Sequence, residues 1–281
     1  MANQFSDNVS TVNATSLEVV STLPTGLEAR GVALDPTNGR LFLANDYSSN
    51  VSVISTGNGS LLTTIYTPGY SYALEDEFDP SLGLLYVLAN NNPDLLAINP
   101  NSLALSQVIS LEPNPGGAQF GIDPSTHVIY FPDRGFNSVG IIDQTNGSTL
   151  GTYATPLGSA GPTTTFFDAA NGLLYVMLGG LLDRPGNQVL ALNPTTGGIV
   201  ADLTVGEWPN TSAFDSSRNL LYVDCQASDS VTVIDTSTNE VTATISFPPG
   251  SDPQGIAVDP STGHLFVGEL GNATLVELGA T

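Results

Sequence analysis

The chain has 281 residues, 41% of them apolar, with 29 glycines and 19 prolines. Such a composition provides a sizeable core and many turns, and it excludes global disorder; no apolar run reaches the roughly 18–20 residues of a membrane helix. Acidic residues number 27 against five arginines and no lysine, for a formal charge of −22, so no basic stripe exists to neutralise phosphates and nucleic-acid binding is excluded.

In chain order, residues 1–15 read as a polar tail without the basic and apolar regions of a signal peptide. Within it, Asn8 to Asn13 has the pattern of a strand. Leu17 to Leu23 is the next predicted strand. From there a unit recurs: an apolar strand, an Asp, a turn, and a second strand with an aromatic seven positions after the Asp. The Asp positions are 35, 79, 123, 168, 215 and 259, and the aromatics are Phe42, Tyr86, Tyr130, Tyr175, Tyr222 and Phe266. The unit around Asp215 shows the whole pattern: strands over Pro209 to Phe214, Leu220 to Asp224, Ser230 to Asp235 and Val241 to Phe247. Four antiparallel strands in about 44 residues make one propeller blade, and the recurring aromatic is expected to pack between blades.

After the sixth Asp only three strands follow, around residues 254–258, 264–269 and 274–278. The expectation is therefore an all-β, six-bladed β-propeller over residues 16–281, its ring closed by the N-terminal strand Leu17 to Leu23. Asn8 to Asn13 then becomes a surplus strand, free to pair with another chain and drive self-association.

The segments Pro253-Gln-Gly-Ile-Ala-Val-Asp-Pro260 with Leu265-Phe-Val267, Leu221-Tyr-Val223 with Val231-Thr-Val-Ile-Asp-Thr236, and Gly31-Val-Ala-Leu-Asp-Pro36 with Leu41-Phe-Leu-Ala-Asn45 resemble the YVTN-type β-propeller repeat. The tetrad's final Asn is clear at Asn45, whereas Asp133, Leu178, Cys225 and Glu269 stand at the other places. The resemblance implies an extracellular or cell-surface location, as in archaeal surface-layer proteins, and no particular reaction.

Loops entering the first strands, and those between second and third strands, share one end of a blade. Arg30, Arg134, Arg184, Trp208 and Asn210 fall there, making that end the expected binding face. Glu75 and Glu77 replace the small residues that other units carry before the repeat Asp. As carboxylates at i and i+2 they lie on one strand face, where they could hold a divalent cation or share a proton. Gln119 and Gln254 complete the candidate ligand-binding set. Cys225 stands alone, so no internal disulfide can form. Seven glycosylation sequons occur, at Asn8, Asn13, Asn50, Asn58, Asn146, Asn210 and Asn272.

Neither His127 nor His264 stands where propeller lyases of the streptogramin-inactivating type carry their axial histidine, and no zinc, phosphate-loop or nucleophile-elbow spacing appears. The reading that follows is a binding, adhesion or assembly module for a protein or glycan, without catalysis or a resident cofactor. A lactonase-like hydrolase or lyase, holding a metal or substrate near the axis, is the alternative. The scarcity of basic residues fits an acidic habitat, such as that of an acidophile, because protonated carboxylates leave little self-repulsion; an ordinary secreted surface rich in Ser, Thr and Asn explains it equally.

Overall fold

The computed structural model describes residues 1–67, 73–89, 94–111, 119–181 and 184–279. Among them lie seven antiparallel sheets rather than six. The chain is thus a β-propeller of seven blades, which corrects the six-bladed expectation.

The chain divides into two compact units. The first spans Met1–Asn114 with Thr145–Ser148 and carries three blades. Blade one has three strands, β1 (Ala2–Asn3), β2 (Asn8–Val12) and β3 (Val19–Pro24). Blade two is β4 (Ala29–Asp35), β5 (Arg40–Asn45), β6 (Asn50–Ser55) and β7 (Leu61–Tyr66). Blade three is β8 (Ala73–Asp79), β9 (Leu84–Ala89), β10 (Asp94–Asn99) and β11 (Ala104–Ser110). Phe42, Val53, Leu85, Val87 and Leu96 form the core between blades two and three, while Val9, Leu43 and Ile54 form the one between blades one and two.

The second unit spans Pro115–Gln144 with Thr149–Thr281. Blade four is β12 (Gly121–Asp123), β13 (Val128–Asp133), β14 (Ser138–Asp143) and β15 (Thr149–Ala154). Blade five is β16 (Thr164–Asp168), β17 (Leu173–Leu181), β18 (Arg184–Leu192) and β19 (Ile199–Thr204). Blade six is β20 (Pro209–Asp215), β21 (Leu220–Cys225), β22 (Ser230–Asp235) and β23 (Glu240–Ser246). Blade seven has three strands, β24 (Pro253–Asp259), β25 (His264–Glu269) and β26 (Thr274–Leu278). Buried side chains from adjacent blades interleave here too, with Tyr130, Val176 and Leu190 in one cluster and Tyr222, Val233 and Val267 in another.

The N-terminal strand does not join the last blade. Val19–Pro24 pairs with β2, and β2 pairs with β1 on its other edge. Asn8–Val12 is consequently no spare strand, and the premise for self-association through it falls. The physical reason is local. Asn3 donates from its carboxamide to Asn8 Oδ1 at 2.7 Å and to Ser10 Oγ at 2.8 Å. In blade two, Asn45 does the same to Asn50 Oδ1 at 2.8 Å and Ser52 Oγ at 3.0 Å. Ala2-Asn3 is therefore the tail of a second strand, fastened to its third strand as Ala44-Asn45 is. The register shift between β2 and β3 at Thr11/Val12 matches the shift between β6 and β7 at Val53/Ile54, which marks the pair as third and fourth strands of a blade.

The repeat Asp earns its recurrence through its own turn. Asp35 Oδ1 accepts the amides of Thr37 and Asn38, and Asp259 Oδ1 accepts that of Ser261. Asp215 Oδ1 accepts from the Ser217 amide at 2.9 Å and its hydroxyl at 2.6 Å, while Arg218 pairs with Oδ2 at 2.7 Å. A short carboxylate that caps its own turn fixes the reversal between first and second strands. Asp215→Ala removes the buried carboxylate to which the exposed turn residues Ser217 and Arg218 donate, so a loss of about 2 kcal/mol is expected; urea titration followed by circular dichroism measures it. An unchanged midpoint would remove the turn from the account of the repeat.

The aromatics seven residues on are core, as expected for five of the six: Phe42, Tyr86, Tyr130, Tyr175 and Tyr222 are buried, and Phe266 is half-buried. Tyr130 stacks on Phe167 at 6.1 Å, and Phe166 lies 5.0 Å from Phe214. No helix among the described residues is long and apolar enough to cross a membrane.

Candidate functional site

At one end of the blades, the loop between second and third strands locks onto the loop that enters the first strand. The amides of Asp46 and Tyr47 donate to the carbonyls of Glu28 and Leu27. Those of Gln226 and Ala227 donate to Trp208 and Glu207, and those of Leu270 and Gly271 to Asp252 and Ser251. The accepting residues Glu28, Trp208 and Asp252 all have a left-handed backbone, with φ of 52°, 55° and 50°. The strained conformation persists because two backbone hydrogen bonds over-determine each junction.

In the first unit this end gathers charge. Arg30 Nε lies 3.6 Å from Asp46 Oδ2. Burial raises the Asp46 carboxyl; Arg30 opposes the rise and Glu28 adds to it. Gln4 donates to Glu28 Oε2 at 3.0 Å, and Asp7 Oδ1 accepts the Glu28 amide at 2.8 Å. Around this polar knot Phe5, Leu27 and Tyr47 stand exposed at 72%, 52% and 55%. Sequence reasoning found Arg30 and missed these three. Their signal was available: Phe5 and Tyr47 sit two residues before the left-handed residues Asp7 and Ser49 in equivalent loops.

In the second unit, Arg134, Arg184 and Trp208 occupy three separate segments. Arg134 is half-buried, its Nε has no partner, and burial lowers its pKa. Arg184 is exposed at the start of β18. Trp208 is half-buried with its Nε1 unpaired. Phe136 and Leu157 are exposed on the same kind of loop, at 67% and 104%.

The first strands of the second unit are cross-linked by polar side chains. Gln119 Oε1 accepts the Ser212 amide at 2.9 Å, reaching from blade four to blade six. Thr163 Oγ1 donates to the Pro209 carbonyl at 2.7 Å, and Thr164 Oγ1 donates to that of Asn210. Asp224, fully buried, accepts from the Thr211 amide at 2.6 Å, the Thr211 hydroxyl at 2.5 Å and the Gly255 amide at 3.2 Å. Burial lifts its carboxyl to about 6 against those bonds. Gln119, Asn210 and the neighbour of Gln254 thus meet in one network, and Asp224, absent from the sequence-derived set, is its charged member. Its signal was faint, an Asp inside an otherwise apolar second strand.

Of the paired carboxylates, the Glu75 side chain lies outside the described residues, although its backbone pairs with Leu88 in blade three. Glu77 is exposed on β8, although protein atoms crowd its carboxyl. Desolvation, with Asp79 adding, raises its carboxyl to about 7. A carboxyl poised there can give or take a proton near neutrality. Among the described residues no three His, Cys, Asp or Glu side chains are grouped to hold a metal ion. His264 Nδ1 lies 2.5 Å from Glu277 Oε1 across β25 and β26, a pairing that a separation of thirteen residues concealed. Cys225 is buried and desolvation raises its thiol to about 11, which suppresses thiolate chemistry. Of the sequon residues, Asn13, Asn58, Asn146 and Asn272 are exposed, Asn8 and Asn210 half-buried, and Asn50 buried.

No family model matches the chain, and no curated protein matches it. Among solved structures, Kuenenia stuttgartiensis Hydrazine Synthase is similar, with a TM-score of 0.81 and 15% identity over 99% of this chain and 91% of that one. As many as 1662 solved chains match, so at this identity the likeness speaks for the fold and not for a reaction.

Proposed function

We propose that this protein is a non-catalytic propeller module of the YVTN-repeat type, working outside the cell or on its surface. It binds a protein or glycan through the interlocked loop ends of its blades. The observation that carries the reading is the exposure of Phe5, Leu27 and Tyr47 in one unit, where the Tyr47 amide is bonded to the Leu27 carbonyl, and of Phe136 and Leu157 in the other. Aromatic side chains left in water on a rigid frame supply contact area at little entropic cost, and such side chains are enriched at interfaces. The exposed sequons and the excess of acid over base suit an extracellular, acidic setting.

The Glu77 carboxyl near 7 is the single feature that favours the second reading, a propeller hydrolase or lyase. Glycan and peptide arrays, together with a lactone and ester hydrolysis screen, separate the two. Binding on an array that is lost in Tyr47→Ser combined with Phe136→Ser, with an unchanged thermal melt, is the expected result. Turnover abolished by Glu77→Gln, with no array binding, would reverse the assignment.

A further inference from the structure

Two junctions between neighbouring blades are built from the same parts. In the first unit, Asp35 pairs with Arg40 across the turn between first and second strands. The Arg40 guanidinium donates to the carbonyl of Pro100, in the Asn99-Pro100 turn that follows β10 of the next blade. In the second unit, Asp123 pairs with Val128 across the equivalent turn of blade four. The facing turn of blade five, after β18, is again Asn-Pro: Asn193-Pro194. Asn99 Oδ1 accepts the amide of Asn101, and Asn193 Oδ1 accepts that of Thr195, so the two turns fold alike. Val128 therefore stands where blade two has its arginine.

The shorter side chain leaves an open cleft of about 480 Å³, lined by Asp123, Thr126, Val128, Tyr130, Tyr153 and Pro194 among others. The Pro194 carbonyl is approached by the Tyr153 hydroxyl, from the outer strand β15. Tyr130 and Tyr153 stack at 6.5 Å with 22° between their planes. We propose that this cleft binds the guanidinium group of an arginine-like ligand, in the seat that Arg40 fills from within the chain at the corresponding junction.

Four features of the cleft favour that group. A carbonyl oxygen has two lone pairs, so Pro194 can accept a second donor. Stacked tyrosines present π-faces to a planar cation, a contact for which guanidinium is better shaped than ammonium. Asp123 lies in the wall: burial pushes its carboxyl up, but donors from Thr126 and Ser125 outweigh this and hold it below the usual range, so it is ionised. The net charge of −22 draws cations toward every opening in this surface. The volume suits a small ligand or a single side chain.

Argininamide titrated into the full chain, followed by calorimetry and by the Tyr130 and Tyr153 ring resonances, should bind saturably. Citrullinamide has the same shape without the charge and should bind at least about tenfold more weakly. Val128→Arg restores the missing arginine, and should weaken argininamide at least about tenfold without lowering the melting temperature. Should that variant fail to fold, the comparison of the two amides on the unaltered protein still decides. The proposal is overturned if argininamide does not saturate, if citrullinamide binds equally well, or if folded Val128→Arg binds argininamide undiminished.

Discussion

Stability should rise, not fall, as the protein is taken from pH 8 down to about pH 4. Asp224 is fully buried and its carboxyl titrates near 6, against 3.8 for a free one. Between those two values the folded chain binds more protons than the unfolded chain. Unfolding free energy then decreases with rising pH, and ionised Asp224 costs about 3 kcal/mol at neutrality and above. Glu77, near 7, and the raised carboxyls of Asp46 and Asp133 act in the same direction. Below about pH 4 the slope reverses. Ser237 holds the Asp235 carboxyl low, Ser261 that of Asp259 and Thr274 that of Glu269, while backbone amides do so for Asp229. In Asp123 and Asp215, hydroxyl and amide donors, joined by Arg218 at Asp215, outweigh the opposite effect of burial. Those groups stabilise the fold only while ionised, and their contribution is lost as pH falls through their folded values. Urea midpoints across pH 3 to 8 should trace a maximum near pH 4–5, and Asp224→Asn should flatten the limb above it. A flat profile from 5 to 8 would show that the buried carboxyl is not felt in the folding equilibrium.

The repeat was legible because one residue type performs one local task at each turn. Asp35, Asp123, Asp215 and Asp259 each cap the reversal they begin, so the pattern appears without any knowledge of packing. The seventh blade was not legible by that rule. Blade one has neither a repeat Asp nor a recurring aromatic, and its second strand is two residues long. Its identity rests on Asn3, whose bonds to Asn8 and Ser10 require knowing that β1 and β2 are adjacent. The likeness of Asn8-Val-Ser to Asn50-Val-Ser was visible, but a third strand without its first strand read as surplus. The residue that ends the second strand follows the same logic. Asn45 holds the start of its third strand through Asn50, Cys225 Sγ lies 3.5 Å from Thr232 Oγ1, and Glu269 accepts from Thr274. Conserved geometry under changed chemistry leaves little trace in a string of residues.

The candidate sites were legible only in part, for a related reason. Charge can be counted along a chain, so Arg30, Glu77 and Arg134 stood out. The desolvation of Asp224 and the empty seat beside Val128 are properties of neighbours separated by 31 and 66 residues, as between Asp224 and Gly255 or between Val128 and Pro194. Such features belong to the stacking of blades, where residues far apart in the chain face one another.

The stacking itself is most exposed to test at Tyr175. Its ring is fully buried in the core between blades five and six, where it faces Phe166 at 6.4 Å. Its hydroxyl accepts from Asn171 at 2.9 Å and donates to Asn239 Oδ1 at 2.6 Å, while Asn171 also donates to the Thr236 carbonyl at 2.8 Å. Ring and hydroxyl thus serve different purposes. The ring fills the space between sheets; the hydroxyl ties the first turn of blade five to the turn between third and fourth strands of blade six. Tyr175→Ala should cost about 4 kcal/mol, from lost burial plus a cavity in close-packed surroundings. Tyr175→Phe keeps the ring and should cost about 1–2 kcal/mol, because Asn171 and Asn239 lose a buried partner. Equilibrium urea unfolding of the two variants separates the terms. Equal losses in both would place the stabilisation in the hydroxyl network alone and make the ring replaceable. A small loss in Tyr175→Ala would mean that blades five and six repack over the gap, against the rigidity that the recurring aromatic is expected to confer.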